Sequence, residues 1–203
     1  MKKTDIHLHL TFEQHPKTEH MFVSSAEHML PHLRELSIEK GILMSSGEGN
    51  SAVPFGSNGE CRQIAEAFPG IYFWMCNLDD VPENIFERLE TYKNQGAVGI
   101  GELMINRSID DPMIQEIFAA AETLSLPVLF HMSPEVGYEY GIVDDAGLPL
   151  LEESLKKYPN LKFIGHSQPF WHEISGDASG DLSSRMEWGK GEVAPGGRLS
   201  YLF

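Results

Sequence analysis

Two histidines stand one residue apart in Asp5-Ile-His7-Leu-His9, the first strand-like run of the chain. Strand side chains alternate between faces, so His7 and His9 point the same way. Two imidazoles on one face, at the end of a short strand, are a ready pair of metal ligands. Single histidines close two later apolar runs, Pro127-Val-Leu-Phe-His131 and Leu161-Lys-Phe-Ile-Gly-His166. Imidazoles converging from the ends of separate strands are how a barrel assembles a metal site. Holding two cations close needs a carboxylate, and Gly99-Ile-Gly-Glu102 offers one at the end of another run. Bridging ligand, general base and ion-pair partner are all open roles for Glu102. Asp5 shares a face with His7 and His9 but sits lower, where it would orient a ligand histidine by a hydrogen bond. This donor set suits zinc or another divalent ion, one or two of them. An ion so held lowers the pKa of a bound water towards neutrality and polarises a carbonyl.

These residues need a scaffold that brings strand ends together. Apolar runs recur at Asp5–His9, Ile42–Met44, Ile71–Met75, Val98–Leu103, Pro127–His131 and Lys162–His166, with a mean spacing of about 31 residues. That is the length of a strand plus a crossover helix. Helical stretches fill the gaps. Pro31–Lys40 carries Leu33 and Leu36 and stops at Gly41. Ser57-Asn-Gly-Glu60 reads as a capping box ahead of Ile64 and Phe68. Pro82 suits the first turn of a helix closed by Gly96, and Asp111-Pro112 opens one with Ile114, Ile117, Phe118, Ala121 and Leu124 on one face. Leu148–Tyr158 is the fifth. A repeated βα unit predicts an α/β fold, a parallel sheet with helices outside it. Long polar loops follow His9, His131 and His166, at strand C-termini, where barrel active sites form.

Composition narrows the function classes. Thirty acidic residues against fifteen Lys and Arg give a formal charge of −15. Phosphate backbones need a basic patch, so the charge argues against nucleic acid, and equally against an anionic membrane surface. Cys61 and Cys76 lack metal spacing and read as buried, reduced thiols of a cytoplasmic protein. No signal-peptide core follows Met1, and no apolar run approaches the roughly 20 residues that span a bilayer. Gly47-Glu-Gly49-Asn lacks the lysine of a phosphate loop, and no nucleophile elbow is present. His15, His20, His28 and His32 read as solvated loop or helix histidines.

Together, Asp5-Ile-His7-Leu-His9, Gly-Ile-Gly-Glu102, Leu-Phe-His131 and Phe-Ile-Gly-His166 resemble the amidohydrolase superfamily of metal-dependent TIM-barrel hydrolases, in particular its amidohydrolase 2 branch. Pro169-Phe-Trp171-His172-Glu-Ile-Ser-Gly176 is similar to a segment after the sixth strand in some members, which places Trp171 and His172 at the substrate pocket. The resemblance implies zinc or a similar ion. It implies His7 and His9 on a first metal, His131 and His166 on a second or on substrate, and Glu102 bridging. It implies an activated water attacking a C–N or C–O bond of a small polar molecule. Some members are decarboxylases or hydratases, so a zinc-dependent decarboxylase is the alternative. A non-catalytic chain that keeps its metal site is another.

The resemblance also implies an aspartate after an eighth strand, and the chain holds no Asp after Asp181. An eight-stranded barrel takes about 250 residues. The expectation is therefore a single, incomplete barrel domain over residues 1–203, with about six of eight βα units. Gly196–Phe203 reads as the start of its sixth helix. Unpaired edges on strands one and six would need cover, from a homodimer, a partner chain or the 167–195 loop. Metal binding and turnover would then be weak.

Overall fold

A computed structural model describes residues 1–16, 22–49, 55–178 and 182–193. Strands and helices alternate throughout: β1 (Lys3–Leu8), α1 (Ala26–Glu35), β2 (Ile38–Met44), α2 (Asn58–Ala67), β3 (Tyr72–Met75), α3 (Ile85–Asn94), β4 (Ile100–Leu103), α4 (Pro112–Leu124), β5 (Val128–His131), α5 (Pro149–Lys157), β6 (Phe163–His166) and α6 (Gln168–Glu173). This is the βα repeat of a TIM-type barrel, with six units among the described residues. Each strand overlaps the apolar run that predicts it, although β2 starts at Ile38, inside the stretch read as helix up to Lys40. The chain divides into two compact units, residues 1–81 with 87–102, and residues 82–86 with 103–203.

In the first unit β1, β2 and β3 pair in parallel, with Leu8 opposite Leu43 and Met44 opposite Met75. A parallel bridge between Cys76 and Ile100 continues the order to β4. Leu43, Ile64, Trp74, Leu89 and Ile100 are buried. Burying such side chains contributes about 1.5–3 kcal/mol each. Gly41 lets Leu8 cross β2, because a Cβ there would lie 2.5 Å from its Cδ1.

In the second unit β5 and β6 pair in parallel, Val128 opposite Phe163 and His131 opposite His166. Helix α4 covers them. Asp111 caps it by accepting the Met113 N–H, Pro112 fills its first turn, and its predicted apolar face is buried. The Phe118 ring meets Phe163 edge-on at 4.9 Å.

Several local readings differ from the structure, among them Pro82, which precedes α3 rather than sitting in its first turn. The first helix starts at Ala26, capped by Ser25, rather than at Pro31, which lies inside it, and ends at Glu35 rather than at Lys40. Proline is commonest in a first turn, and that preference misleads here. The capping box is half formed. Ser57 Oγ accepts the Glu60 N–H at 3.3 Å. Glu60 turns instead to the N–H groups of Gly56, at 2.6 Å, and Phe12, at 2.8 Å. The sixth helix directly follows β6 as Gln168–Glu173, whereas the stretch predicted to start it, 196–203, lies outside the described residues. No described helix is long and apolar enough to cross a membrane.

Candidate metal centre

The first unit brings three predicted ligands together. His7 Nε2 and His9 Nε2 lie 3.0 Å apart. Each lies 3.2 Å from Glu102 Oε2. Alternation along β1, carried one residue past its end to His9, puts both imidazoles on one face, and β4 delivers the carboxylate. The Glu102 side chain is 5% exposed, those of His7 and His9 25% and 43%. The triangle therefore has a buried anionic corner and two imidazole corners that reach solvent. Asp5 is placed differently from its predicted role: its Oδ1 accepts the main-chain N–H of His7 at 3.0 Å. It fixes the strand end that carries His7 rather than an imidazole.

Two residues absent from the sequence reading hold Glu102. Asn77 Nδ2 donates to the Glu102 carbonyl at 2.7 Å, and Asn58 bonds both the N–H and the carbonyl of Asn77. Both asparagines are buried. A polar residue just past the end of a strand, as Asn77 is, was the available signal.

The second unit pairs the other two histidines. His131 Nδ1 and His166 Nε2 are 3.1 Å apart, with the rings at 82°. The residues just past them are stitched together: Ser167 Oγ donates to the Met132 carbonyl at 2.8 Å and accepts its N–H at 3.1 Å. Gly165 admits the Phe170 ring, which a Cβ would meet at 2.4 Å. That close approach seats α6 directly behind His166. The Tyr140 ring lies 4.6 Å from the His131 ring.

The residues predicted for a substrate pocket diverge. Trp171 is exposed, while His172 is buried with Nε2 3.2 Å from Ser184 Oγ. Beside them, Arg185 is fully buried and donates from Nε to Glu173 Oε1 at 2.8 Å and from Nη1 to the Asp144 carbonyl at 2.6 Å. Cys61 and Cys76 are free and buried, and burial pushes both thiols up to about 12. Neither offers a thiolate nucleophile at neutral pH.

The donor chemistry fits a divalent ion. Imidazole nitrogens and a carboxylate oxygen are the usual catalytic zinc set. Ligand atoms about 2.0–2.1 Å from one ion lie roughly 3–3.4 Å from one another. The separations of 3.0 and 3.2 Å in the His7, His9, Glu102 triangle fall in that range.

A family model described as amidohydrolase matches residues 52–190. No curated protein sequence matches the chain. Among solved structures, a 5-carboxyvanillate decarboxylase variant from Novosphingobium aromaticivorans, with bound manganese, is similar at 14% identity and a TM-score of 0.58, over 84% of this chain and 68% of that one. An uncharacterised TIM-barrel protein from Bordetella bronchiseptica is similar at 14% identity and 0.56, over 81% and 66%. A putative 2-pyrone-4,6-dicarboxylic acid hydrolase from Pseudomonas putida is similar at 14% and 0.52, over 80% and 55%. At such identity the likeness establishes the barrel fold alone. The chain spans about two thirds or less of the length of two of these three structures.

Proposed function

The chain belongs to the amidohydrolase family, and from that premise we propose that it is a metal-dependent hydrolase of an amide, lactone or ester in a small polar molecule. The observation that carries the reading is the triangle of His7, His9 and Glu102, three metal-ligand atoms within 3.2 Å of one another. These three would hold one divalent ion, zinc in the first instance. His131 and His166 would hold a second, with Glu102 bridging, or would orient the substrate. When bound, the metal supplies a water of lowered pKa and polarises the scissile carbonyl.

The rest of the chemistry falls to the chain itself. Asp5 and the Asn58–Asn77 pair fix the two strand ends that carry His7 and Glu102. The strand pairing of β5 with β6 fixes His131 against His166. Such preorganisation removes reorganisation from the reacting step. The alternative is a decarboxylase or hydratase, favoured by the likeness to a manganese-containing decarboxylase structure. A non-catalytic metal-binding chain is the reading from another class. As partners we propose a small-molecule substrate and a second copy of the chain, and as location the cytoplasm, where the thiols would stay reduced.

One experiment separates these readings. The protein is analysed for bound metal, then assayed with and without added zinc or manganese. Lactones and amides report hydrolysis, and carboxylated phenols report release of carbon dioxide. Metal-dependent ring opening or amide cleavage supports the hydrolase, and carbon dioxide release the alternative. Stoichiometric metal with neither turnover marks a binding chain. Protein that takes up no metal defeats all three.

A further inference from the structure

Helix α1 carries two histidines that the candidate metal centre does not use. His28 and His32 stand four residues apart, so successive turns place them on one face, with Cβ atoms about 5–6 Å apart. Both are exposed, and their rings meet edge-on with centroids 5.8 Å apart and planes at 60°. Among the described residues neither ring makes a hydrogen bond. The backbone beneath them is fixed. Ser25 Oγ accepts the His28 N–H at 3.3 Å, and the His32 carbonyl accepts the Leu36 N–H at 3.1 Å. On the opposite face Leu33 is buried, and the Tyr72 hydroxyl donates to the Ala26 carbonyl at 2.8 Å. The helix is therefore anchored to its sheet while both imidazoles reach solvent. Between the two histidines lies Pro31, which has no N–H for the Glu27 carbonyl. Glu35, three residues beyond His32, falls on the same stripe and is exposed.

We propose that His28 and His32 chelate one divalent ion of the imidazole-preferring class, zinc, nickel or copper, at the protein surface. Neutral imidazole suits all three. Two imidazoles on one tetrahedral ion put their ring centres roughly 5 Å apart. The present 5.8 Å closes by rotation of two exposed side chains. Water completes the shell, and the Glu35 carboxylate adds attraction for the cation. The shared ion also ties across the turn that Pro31 leaves one hydrogen bond short. The site shares no residue with the His7, His9, Glu102 triangle and does not depend on that triangle binding metal.

The test is a titration with zinc, held at defined free concentrations by a chelator and followed through the ring proton signals of His28 and His32. Both rings should shift together along one saturating curve. In His28→Ala the His32 ring should need at least about tenfold more zinc, because the second imidazole of a chelate binds at high effective concentration. Two independent histidines would leave that affinity unchanged. His28→Ala with Arg34→His restores the number of histidines but sets them two residues apart, on different faces. It should bind as weakly as His28→Ala. Alanine suits an exposed helix position, so these variants keep the fold. Glu102→Gln should leave the response unaltered, which separates this site from the candidate metal centre. Rings that shift along different curves, a His32 affinity unchanged by His28→Ala, or full recovery on adding Arg34→His would each overturn the proposal. So would loss of the response in Glu102→Gln, or no response of either ring to zinc.

Discussion

His131 and His166 are register partners of adjacent parallel strands, and their facing nitrogens lie 3.1 Å apart. Backbone pairing rather than loop packing sets this separation, since both residues end their strands. The pair is therefore rigid before any ligand arrives. His131→Ala and His166→Ala should each lower affinity for zinc or manganese by at least about 100-fold, since loss of even an outer partner of a ligand costs 10–100-fold. Competition with a chromogenic chelator reads the change. Full metal affinity in both variants would remove this pair from the site.

Glu102 offers a sharper separation of binding from folding. Its carboxylate is the buried corner shared by His7 and His9. Glu102→Gln keeps the shape and removes the charge. Metal affinity should fall at least about tenfold, while the unfolding free energy of the metal-free protein moves by under about 1 kcal/mol. Urea denaturation beside metal titration measures both.

Glu102 also shows what could be read from residue order and what could not. The strand ends that carry the candidate ligands were legible because an apolar run that stops at or beside a histidine or glutamate carries its own signal, as those of β1, β4, β5 and β6 do. The partners of those ends were not. Asn77 reaches Asn58 across 19 residues, and Asn106 reaches Gly137 across 31. Hydrogen bonds between distant loops leave no period in a sequence. His172 was not legible as a buried residue, for a related reason. It lies on a short helix whose direction depends on Phe170 entering the space at Gly165, and no local pattern announces that contact.

Arg185 and Glu173 make an ion pair whose side chains are 0% and 1% exposed. Removing one member of such a pair strands a buried charge. Arg185→Met should destabilise the protein by about 3–5 kcal/mol, and Arg185→Met with Glu173→Gln should recover more than half of that. Glutamine retains an oxygen for the Gly147 N–H, which Glu173 accepts at 2.7 Å. Urea midpoints of the two variants provide the comparison. A double variant as unstable as the single one would show that the pair is not what limits stability.

Asp177 ties the end of the second unit together at its surface. The Ser175 hydroxyl and the main-chain N–H groups of Gly191 and Lys190 hold its carboxyl down at about 2. A depressed carboxyl stabilises when ionised. Its contribution is complete above the unfolded value of about 4 and fades as pH falls towards 2. Amide exchange at Lys190 and Gly191 should therefore accelerate over and above its intrinsic pH trend between pH 4 and 2. In Asp177→Asn that extra acceleration should be gone and protection should be low already at pH 6.

Two glycines of the loop beside His131 separate backbone strain from contact with the candidate site. Gly141 and Gly137 both sit at positive φ, +104° and +98°. Alanine at either position meets the same conformational penalty, about 1–3 kcal/mol. Their surroundings differ. A Cβ at Gly137 meets nothing within 4 Å, whereas one at Gly141 meets His131 Cδ2 and Ser133 Oγ at 2.9 Å and the His131 carbonyl at 3.1 Å. The carbonyl is backbone and cannot swing aside, so the imidazole or the whole loop must shift. Both variants should lose thermal stability by comparable amounts. Gly141→Ala alone should also weaken metal binding, by about tenfold or more if His131 is a ligand, because a displaced donor loses its geometry. Parallel melting curves and chelator competition on the two variants supply the readout. Equal metal affinity in Gly141→Ala and Gly137→Ala would show that the loop can move without disturbing the histidine pair.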